Sequence, residues 1–239
     1  MKIYYDFHIH SALSPCGDED MTPNNIVNMA ALKGLNAIAV TDHNSVLNCR
    51  AAIKAAQELD LCVLAGIELC TAEEIHVLCL FASLDGAEAF YGEVREYFLP
   101  IKNKPDIFGR QLIMDENDEI AGEEELLLTA ATRISVNDVP ALVEKHGGIA
   151  IPAHIDRPSY SITAVFGELP GYLGFKCIEV SQKGDMATVR EQYPNVTDFA
   201  RICNSDAHYL ENISEPENTL EVEKCTPEEI IRAIRNNFI

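Results

Sequence analysis

The sequence predicts an α/β protein built on a mainly parallel sheet or barrel. Two observations lead there. Short apolar runs alternate with helical patterns along most of the chain. Hydrophobic residues make up 47% of the 239 positions, enough to fill the one core that a chain of this length ordinarily builds.

Taken in order, residues 2–7 read as a strand. Thr22-Pro23 opens a helix that runs through Leu32, with proline at the first helical position and Gly34 closing it. Residues 36–41 form a second buried strand, 46–59 an alanine-rich helix, 62–67 a third strand and 75–81 a fourth. Residues 84–134 interrupt this rhythm with a helical stretch near 86–98, a loop through Pro105, the acidic turn Asp115–Asp118 and a further helical stretch at 122–131. Roughly 50 residues is marginal for a separate core, so this segment reads as an insertion packed beside the main one. Covering the site and forming an oligomer interface are equal expectations for it. Ser135 then caps a helix ending at Gly147. Strands follow at 149–153, 176–181, 200–204 and 219–223, and Thr226-Pro227-Glu228-Glu229 is a capping box for the last helix. Residues 1–239 are thus expected to form a single domain.

The formal net charge is −20, a field that repels nucleic-acid backbones and anionic membranes and attracts divalent cations. For most of the acidic residues, solubility is explanation enough. None of the eight cysteines forms a Cys-x-x-Cys pair, and most sit in apolar runs, which predicts buried free thiols in a reducing compartment. The N-terminus lacks the apolar stretch of a signal peptide, and no run approaches the ~18 apolar residues of a membrane span. A cytoplasmic protein is the expectation.

Six of the seven histidines lie at strand ends. His8 and His10 follow the first strand, and in extended backbone residues i and i+2 share a face, so both imidazoles can reach one cation. Thr41-Asp42-His43 ends the second strand, Gly66-Ile67-Glu68 the third, Pro152-Ala153-His154 the strand after the insertion, and Ser205-Asp206-Ala207-His208 a later one. In parallel barrels the carboxyl ends of the strands share one rim, where such residues converge. His76 begins its strand; a hairpin between 62–69 and 75–81 would return it to the same end as Glu68. Any one of these histidines, taken alone, is more often structural than a ligand; the set is what points to metal. His146, in the last turn of a helix, suits the helix dipole and is given no catalytic role. A nitrogen and oxygen ligand set without clustered thiolates favours Zn, Mn or Fe(II), and nine ligands imply two or three ions. Such a cluster can clamp a phosphoryl group and generate hydroxide near neutral pH.

Six motifs resemble the PHP (polymerase and histidinol phosphatase) family: Asp-Phe-His-Ile-His-Ser (6–11), Val-Thr-Asp-His-Asn (40–44), Gly-Ile-Glu (66–68), Ile-His-Val-Leu (75–78), Pro-Ala-His (152–154) and Asn-Ser-Asp-Ala-His (204–208). They occur in the family's order and span nearly the whole chain. The resemblance implies a distorted (β/α)7 TIM-like barrel, with the insertion at 84–134, and a trinuclear site at its carboxyl rim. His8, His10, Glu68 and Asp206 would hold one metal. His43, His208 and an acidic residue after the His-x-His would hold a second, and Glu68 would bridge to a third on His76 and His154. Here the segment after the His-x-His is Ser14-Pro15-Cys16-Gly17-Asp18-Glu19-Asp20, longer than the family's compact form. Asp18 is the favoured ligand and Asp20 its competitor.

A phosphoesterase also needs donors for the non-bridging oxygens. Arg157, three residues after His154, is the candidate; Lys183 reads as an ordinary surface cation. The expected substrate is a phosphomonoester or a small nucleotide-like phosphate, with no long nucleic acid and no membrane as partner. Three alternatives remain: a nuclease acting on short oligonucleotides or their ends, an amidohydrolase-like C–N hydrolase, and a non-catalytic metal-stabilised module. The amidohydrolase reading lacks the ligand lysine it would ordinarily show.

Overall fold

The computed structural model describes residues 1–236. In chain order the regular elements are β1 (Lys2–Ile9), α1 (Pro23–Leu32), β2 (Ala37–Val40), α2 (Cys49–Ala55), β3 (Cys62–Cys70), β4 (His76–Phe81), α3 (Leu84–Val94), α4 (Pro105–Phe108), β5 (Leu112–Met114), β6 (Ile120–Glu123), α5 (Val139–Lys145), β7 (Gly148–Pro152), α6 (Ile162–Phe166), β8 (Cys177–Ser181), α7 (Met186–Gln192), β9 (Ala200–Asn204), β10 (Thr219–Glu221) and α8 (Pro227–Ile234). Six strands form one sheet in the order β10-β1-β2-β3-β4-β7, and β8 pairs with β9. A parallel bridge from Ile9 to Ala207 joins the segment after β9 back to β1, so the sheet is curled.

The expected mainly parallel ladder is found for β1-β2-β3 and β8-β9. The β3–β4, β4–β7 and β1–β10 pairings are antiparallel. The architecture is therefore a mixed α/β fold, and only part of it has the βαβ arrangement of a regular barrel. The β3–β4 hairpin opposes Cys70 to His76, which brings His76 to the same end of the sheet as Glu68.

Alternation along the strands sorts side chains onto two faces. Ile38, Val40, Ala65, Ile67, Val77 and Cys79 pack in one cluster with Ile26 and Ala30 of α1, Ala52 of α2, Phe90 of α3 and Val143 of α5. Ile3, Tyr5, Phe7, Ala39, Leu64, Leu78, Leu80, Ile151 and Ile202 pack in the other, together with Ile230, Ile231 and Ile234 of α8. Burying one such side chain contributes about 1.5–3 kcal/mol. The β1–β2 register shifts between Asp6 and Ile9, leaving one extra residue on β1. This bulge reverses the alternation: Phe7 belongs to the second cluster and Ile9 to the first. His8 and His10, which flank Ile9, are fully buried.

Two of the three helix starts read from the sequence have the expected caps. Thr22 accepts the Asn25 N–H ahead of Pro23, and Thr226 accepts the Glu229 N–H ahead of Pro227. Three expected helices change. The one expected over 46–59 is confined to Cys49–Ala55. The one expected from Ser135 starts at Val139, because Ser135 instead begins a turn and donates to Glu73. The helix expected over 122–131 is absent, replaced by β6 and irregular backbone. There the buried Gln111 amide donates to the Glu124 and Leu126 carbonyls at 2.8 Å each, and the Gln111 carbonyl accepts the Leu128 N–H at 2.9 Å. Those backbone groups have tertiary partners in place of helical ones.

The 84–134 segment leans on the loops that follow β1 and β2. Leu112 donates its N–H to the Ala12 carbonyl, Asn48 bridges Ser11 Oγ and the Leu112 carbonyl, and Asn44 donates to the Leu128 and Ala130 carbonyls. Gly109, at φ +100°, comes so close that a Cβ there would lie 2.0 Å from the Pro15 carbonyl oxygen.

Candidate metal centre

The strand ends bring seven of the ten expected site residues around an eighth, Glu68, which is 1% exposed. His43 Nδ1 lies 2.8 Å from Glu68 Oε2 and His76 Nδ1 3.0 Å from Oε1. His154 Nε2 is 3.2 Å from Oε1, His8 Nε2 3.3 Å from Oε1, and His10 Nε2 3.4 Å from Oε2. Asp206 Oδ1 joins at 3.0 Å from His10 Nε2 and 3.3 Å from His8 Nε2, and the His208 ring stacks on that of His10 at 4.2 Å. Donor atoms held about 2.0–2.2 Å from one ion stand roughly 3.3 Å apart, the spacing found here. Three groups of residues hold their donor atoms close enough for one ion each: His8, His10 and Glu68; His10, His43 and His208; and His43, Glu68 and His76.

Hydrogen bonding orients several of the rings. His8 Nδ1 faces both oxygens of Glu179 at 3.0 Å. A carboxylate only accepts, so Nδ1 carries the proton and Nε2 presents its lone pair to the cluster. Ser14 Oγ donates to Asp42 at 2.7 Å, which leaves it to accept from His10 Nδ1 at 2.9 Å. His208 Nδ1 donates to the Asp206 carbonyl at 2.9 Å. His8 Nε2 and His10 Nε2 then confront each other at 3.2 Å. Two neutral imidazoles would place lone pair against lone pair in that gap, so a proton or a metal ion must sit there.

Charge and desolvation agree with a cation site. Burial alone would push the Glu68 carboxyl up, but His76, His8 and His43 outweigh it and hold it well below the carboxylate range. Burial likewise disfavours charge on His8, yet Glu179, Asp206 and Glu68 raise it well above the ordinary imidazole value. His10 is depressed by burial and by the neighbouring His208 and His43. His154 Nδ1 is buried without a hydrogen-bond partner, and His43 Nδ1, Glu68 Oε2 and Asp206 Oδ1 are buried beside one another or beside His10 in contacts too poorly angled to be hydrogen bonds. Such orphaned atoms are costly unless something else, such as a metal, satisfies them. The residues present therefore fit a multinuclear metal centre.

Backbone strain helps build the centre. Asn44, His154 and Asp206 have φ of +47°, +31° and +54°, a region that costs a non-glycine residue about 1–3 kcal/mol. The His154 N–H is held in place by Glu179 Oε2 at 2.9 Å.

Asp18 stands outside the cluster. Its N–H bonds to the His208 carbonyl, but its carboxylate accepts the N–H of Asp20 within its own loop, and Asp20 is exposed. Cys16 of the same loop is exposed, against the expectation of buried thiols, and the neighbouring His208 and His43 rings outweigh its partial desolvation and bring its thiol down to about 6. Glu179, Ser14 and Asp42 were also not anticipated as site residues. The available signal for Glu179 was a lone carboxylate inside the apolar run Cys177-Ile178-Glu179-Val180, which only a buried partner would justify.

Arg157 pairs with Asp206 at the mouth. It lines two adjoining recesses. One, of about 150 Å³, is formed with His43, Glu68, His76, His154 and His208; the other, of about 380 Å³, includes Ser181, Gln182, Lys183 and Asn212. Tyr160, half exposed at φ +55°, stacks on His76 with centroids 4.8 Å apart. His146 lies elsewhere and pairs with Glu93 at 2.8 Å.

Comparison with known proteins gives a consistent picture. A family model described as PHP domain matches residues 6–161. A 5'-3' exoribonuclease from Haemophilus influenzae is 33% identical over 79 residues, covering 32% of this chain and 28% of its own. The structure of the lesion-specific endonuclease PfuEndoQ from Pyrococcus furiosus superposes with a TM-score of 0.74 at 20% identity, over 99% of this chain and 56% of the endonuclease. A two-domain protein from Bacteroides vulgatus containing a predicted PHP-like metal-dependent phosphoesterase gives 0.56 at 15% identity, over 100% of this chain and 64% of that one. The chain thus spans about a quarter to two thirds of the length of these relatives, and at such identities the two structures speak for the fold.

Proposed function

The chain belongs to the PHP domain family, and from that premise we propose that it hydrolyses a phosphomonoester or a small nucleotide-like phosphate at a trinuclear metal centre. The observation that carries this reading is the crowd of imidazoles around one buried carboxylate, with buried nitrogen and oxygen atoms in close contact but not in hydrogen-bond geometry. His8, His10, Glu68 and Asp206 would hold one ion, His43 and His208 a second, and His76, His154 and Glu68 a third. Bound divalent ions of this kind polarise a phosphoryl oxygen and lower the pKa of water enough to supply a nucleophile near neutral pH.

The chain's own groups do the rest. Glu179, Ser14 and the Asp206 carbonyl set the ring orientations, so the donor atoms are arranged before any substrate arrives. Arg157 offers a guanidinium to the non-bridging oxygens at the mouth of the smaller recess, and the larger one has room for the rest of a small ester. A net charge of −20 disfavours long nucleic acid. We also read the chain as one catalytic domain, with 84–134 buttressing the loop after β1.

A second reading, a nuclease acting on short oligonucleotides or their ends, is favoured by Tyr160. An exposed aromatic ring stacked on a site histidine is a platform on which a terminal base could stack. One experiment addresses both readings: count bound metals in the purified protein, then assay phosphomonoesters, nucleotides and short oligonucleotides with Mn or Zn. Fewer than two ions per chain, or no phosphate or nucleotide released from any substrate, would overturn the proposal.

A further inference from the structure

We propose that Asn48 is a positioning residue of the metal centre: it ties strand β5 of the insertion to the His10 ring through a buried chain of hydrogen bonds that runs by Ser11, Asp42 and Ser14. The inference rests on the metal-centre reading and adds to it the control of one ligand by a segment outside the ligand set.

The chain can be followed atom by atom. Asn48 stands at the N-cap of α2, where an asparagine ordinarily turns its side chain back to the free N–H groups of the first turn. Here the side chain makes no such bond. Its Oδ1 accepts the Met114 N–H at 2.9 Å, and its Nδ2 donates to the Leu112 carbonyl at 3.0 Å and to Ser11 Oγ at 2.9 Å. A backbone N–H only donates and a carbonyl only accepts, so β5 fixes which way the amide faces. Ser11 Oγ, receiving from Asn48, sends its own proton to Asp42 Oδ2 at 2.6 Å. Asp42 Oδ1 accepts the Ser11 N–H and the Ser14 hydroxyl, each at 2.7 Å. With that proton committed, Ser14 Oγ can only accept, and His10 Nδ1 donates to it at 2.9 Å. The sense of every bond from Met114 to His10 is therefore set, and the Nε2 lone pair of His10 is left facing the cluster.

Burial makes the chain exacting. Ser11, Ser14, Asp42, Asn48 and His10 are all fully buried. A partner lost at one link leaves a polar group in the interior, and its neighbours reorient to compensate. A Ser14 hydroxyl no longer held by Asp42 can turn and donate to His10 Nδ1. The ring proton then moves to Nε2 and an N–H points at the metal positions in place of a lone pair. Asn48 guards against this by keeping the Ser11 hydroxyl directed at Asp42. The insertion thereby holds a ligand in its metal-binding tautomer, a role distinct from covering the site or forming an interface.

The test uses the full-length protein with isotope-labelled histidine, stripped of metal. Nitrogen NMR reports the tautomer of each ring, with the His10 signals assigned by comparison with His10→Gln, and chelator competition measures metal affinity. Wild type should carry the His10 proton on Nδ1. Asn48→Ala should give a mixture of the two tautomers and about 10-fold weaker metal binding. Ser11→Ala leaves the Asn48 bonds to Leu112 and Met114 in place and cuts the chain at its next link. It should show the same two changes, and combining it with Asn48→Ala should cost no more than either alone. An unchanged His10 tautomer and affinity in Ser11→Ala, or losses that add in the double variant, would overturn the proposal and make Asn48 a support for the insertion only. If Asn48→Ala fails to fold, the Ser11→Ala result decides alone. A wild-type protein that keeps the His10 proton on Nδ1 but binds no metal would instead overturn the metal-centre reading, and the positioning role with it.

Discussion

Glu179 meets His8 with both carboxylate oxygens, each 3.0 Å from Nδ1. The same carboxylate accepts the His154 N–H and the Asn204 side-chain amide, so one buried group sets two ligand positions and is itself satisfied. Glu179→Ala removes the acceptor that fixes the His8 tautomer. Metal affinity is expected to fall about 10- to 100-fold with every proposed ligand still present. A chelator-competition titration measures this, and an unchanged affinity would make Glu179 merely structural.

Glu68→Ala deletes the carboxylate that five imidazoles approach within 3.4 Å. We expect at least two ions to be lost per chain and phosphate release to fall by more than about 100-fold, beyond the effect of a change outside the ligand set. Metal analysis and activity on the same preparation check the two effects together.

Arg157→Ala tests the phosphate contact. A charge-assisted hydrogen bond is worth about 1.5–3 kcal/mol, so kcat/KM should drop roughly 10- to 100-fold, mostly through KM. An unaltered KM would remove Arg157 from substrate binding.

Chelation should destabilise the protein reversibly. Ligands that bind only the folded state at 1,000 times their Kd add about 4 kcal/mol, so EDTA should lower the denaturation midpoint and Zn or Mn should restore it. Identical midpoints in the two states would mean that the orphaned atoms around Glu68 are satisfied without metal.

Gly109→Ala tests whether the insertion supports the site loop. The backbone at φ +100° disfavours any side chain, and the new Cβ would collide with the Pro15 carbonyl. The expected loss is about 1–3 kcal/mol from backbone strain alone, accompanied by weaker metal retention, because Pro15 adjoins Ser14, which accepts from the His10 ring. Denaturant unfolding and metal counting read the two effects separately; full stability and full occupancy would break the link.

Much of this protein was legible in the chain itself. Caps at Thr22 and Thr226, runs of alternating apolar residues, and histidines at strand ends are local signals. They identified most strands, two helix starts, and Glu68 with the seven residues now gathered around it, because short-range backbone physics governs each of them. What the tertiary structure decided involves partners distant in sequence. Gln111 draws residues 124–128 away from the expected helix, an outcome no local propensity encodes. A bulge between Asp6 and Ile9 puts Phe7 and Ile9, two residues apart, into different core clusters. Glu179 reaches His8 across 171 positions. Asp18 turns its carboxylate to the Asp20 N–H and not to the imidazoles, because the direction of a loop side chain follows from the hydrogen bonds that close the loop.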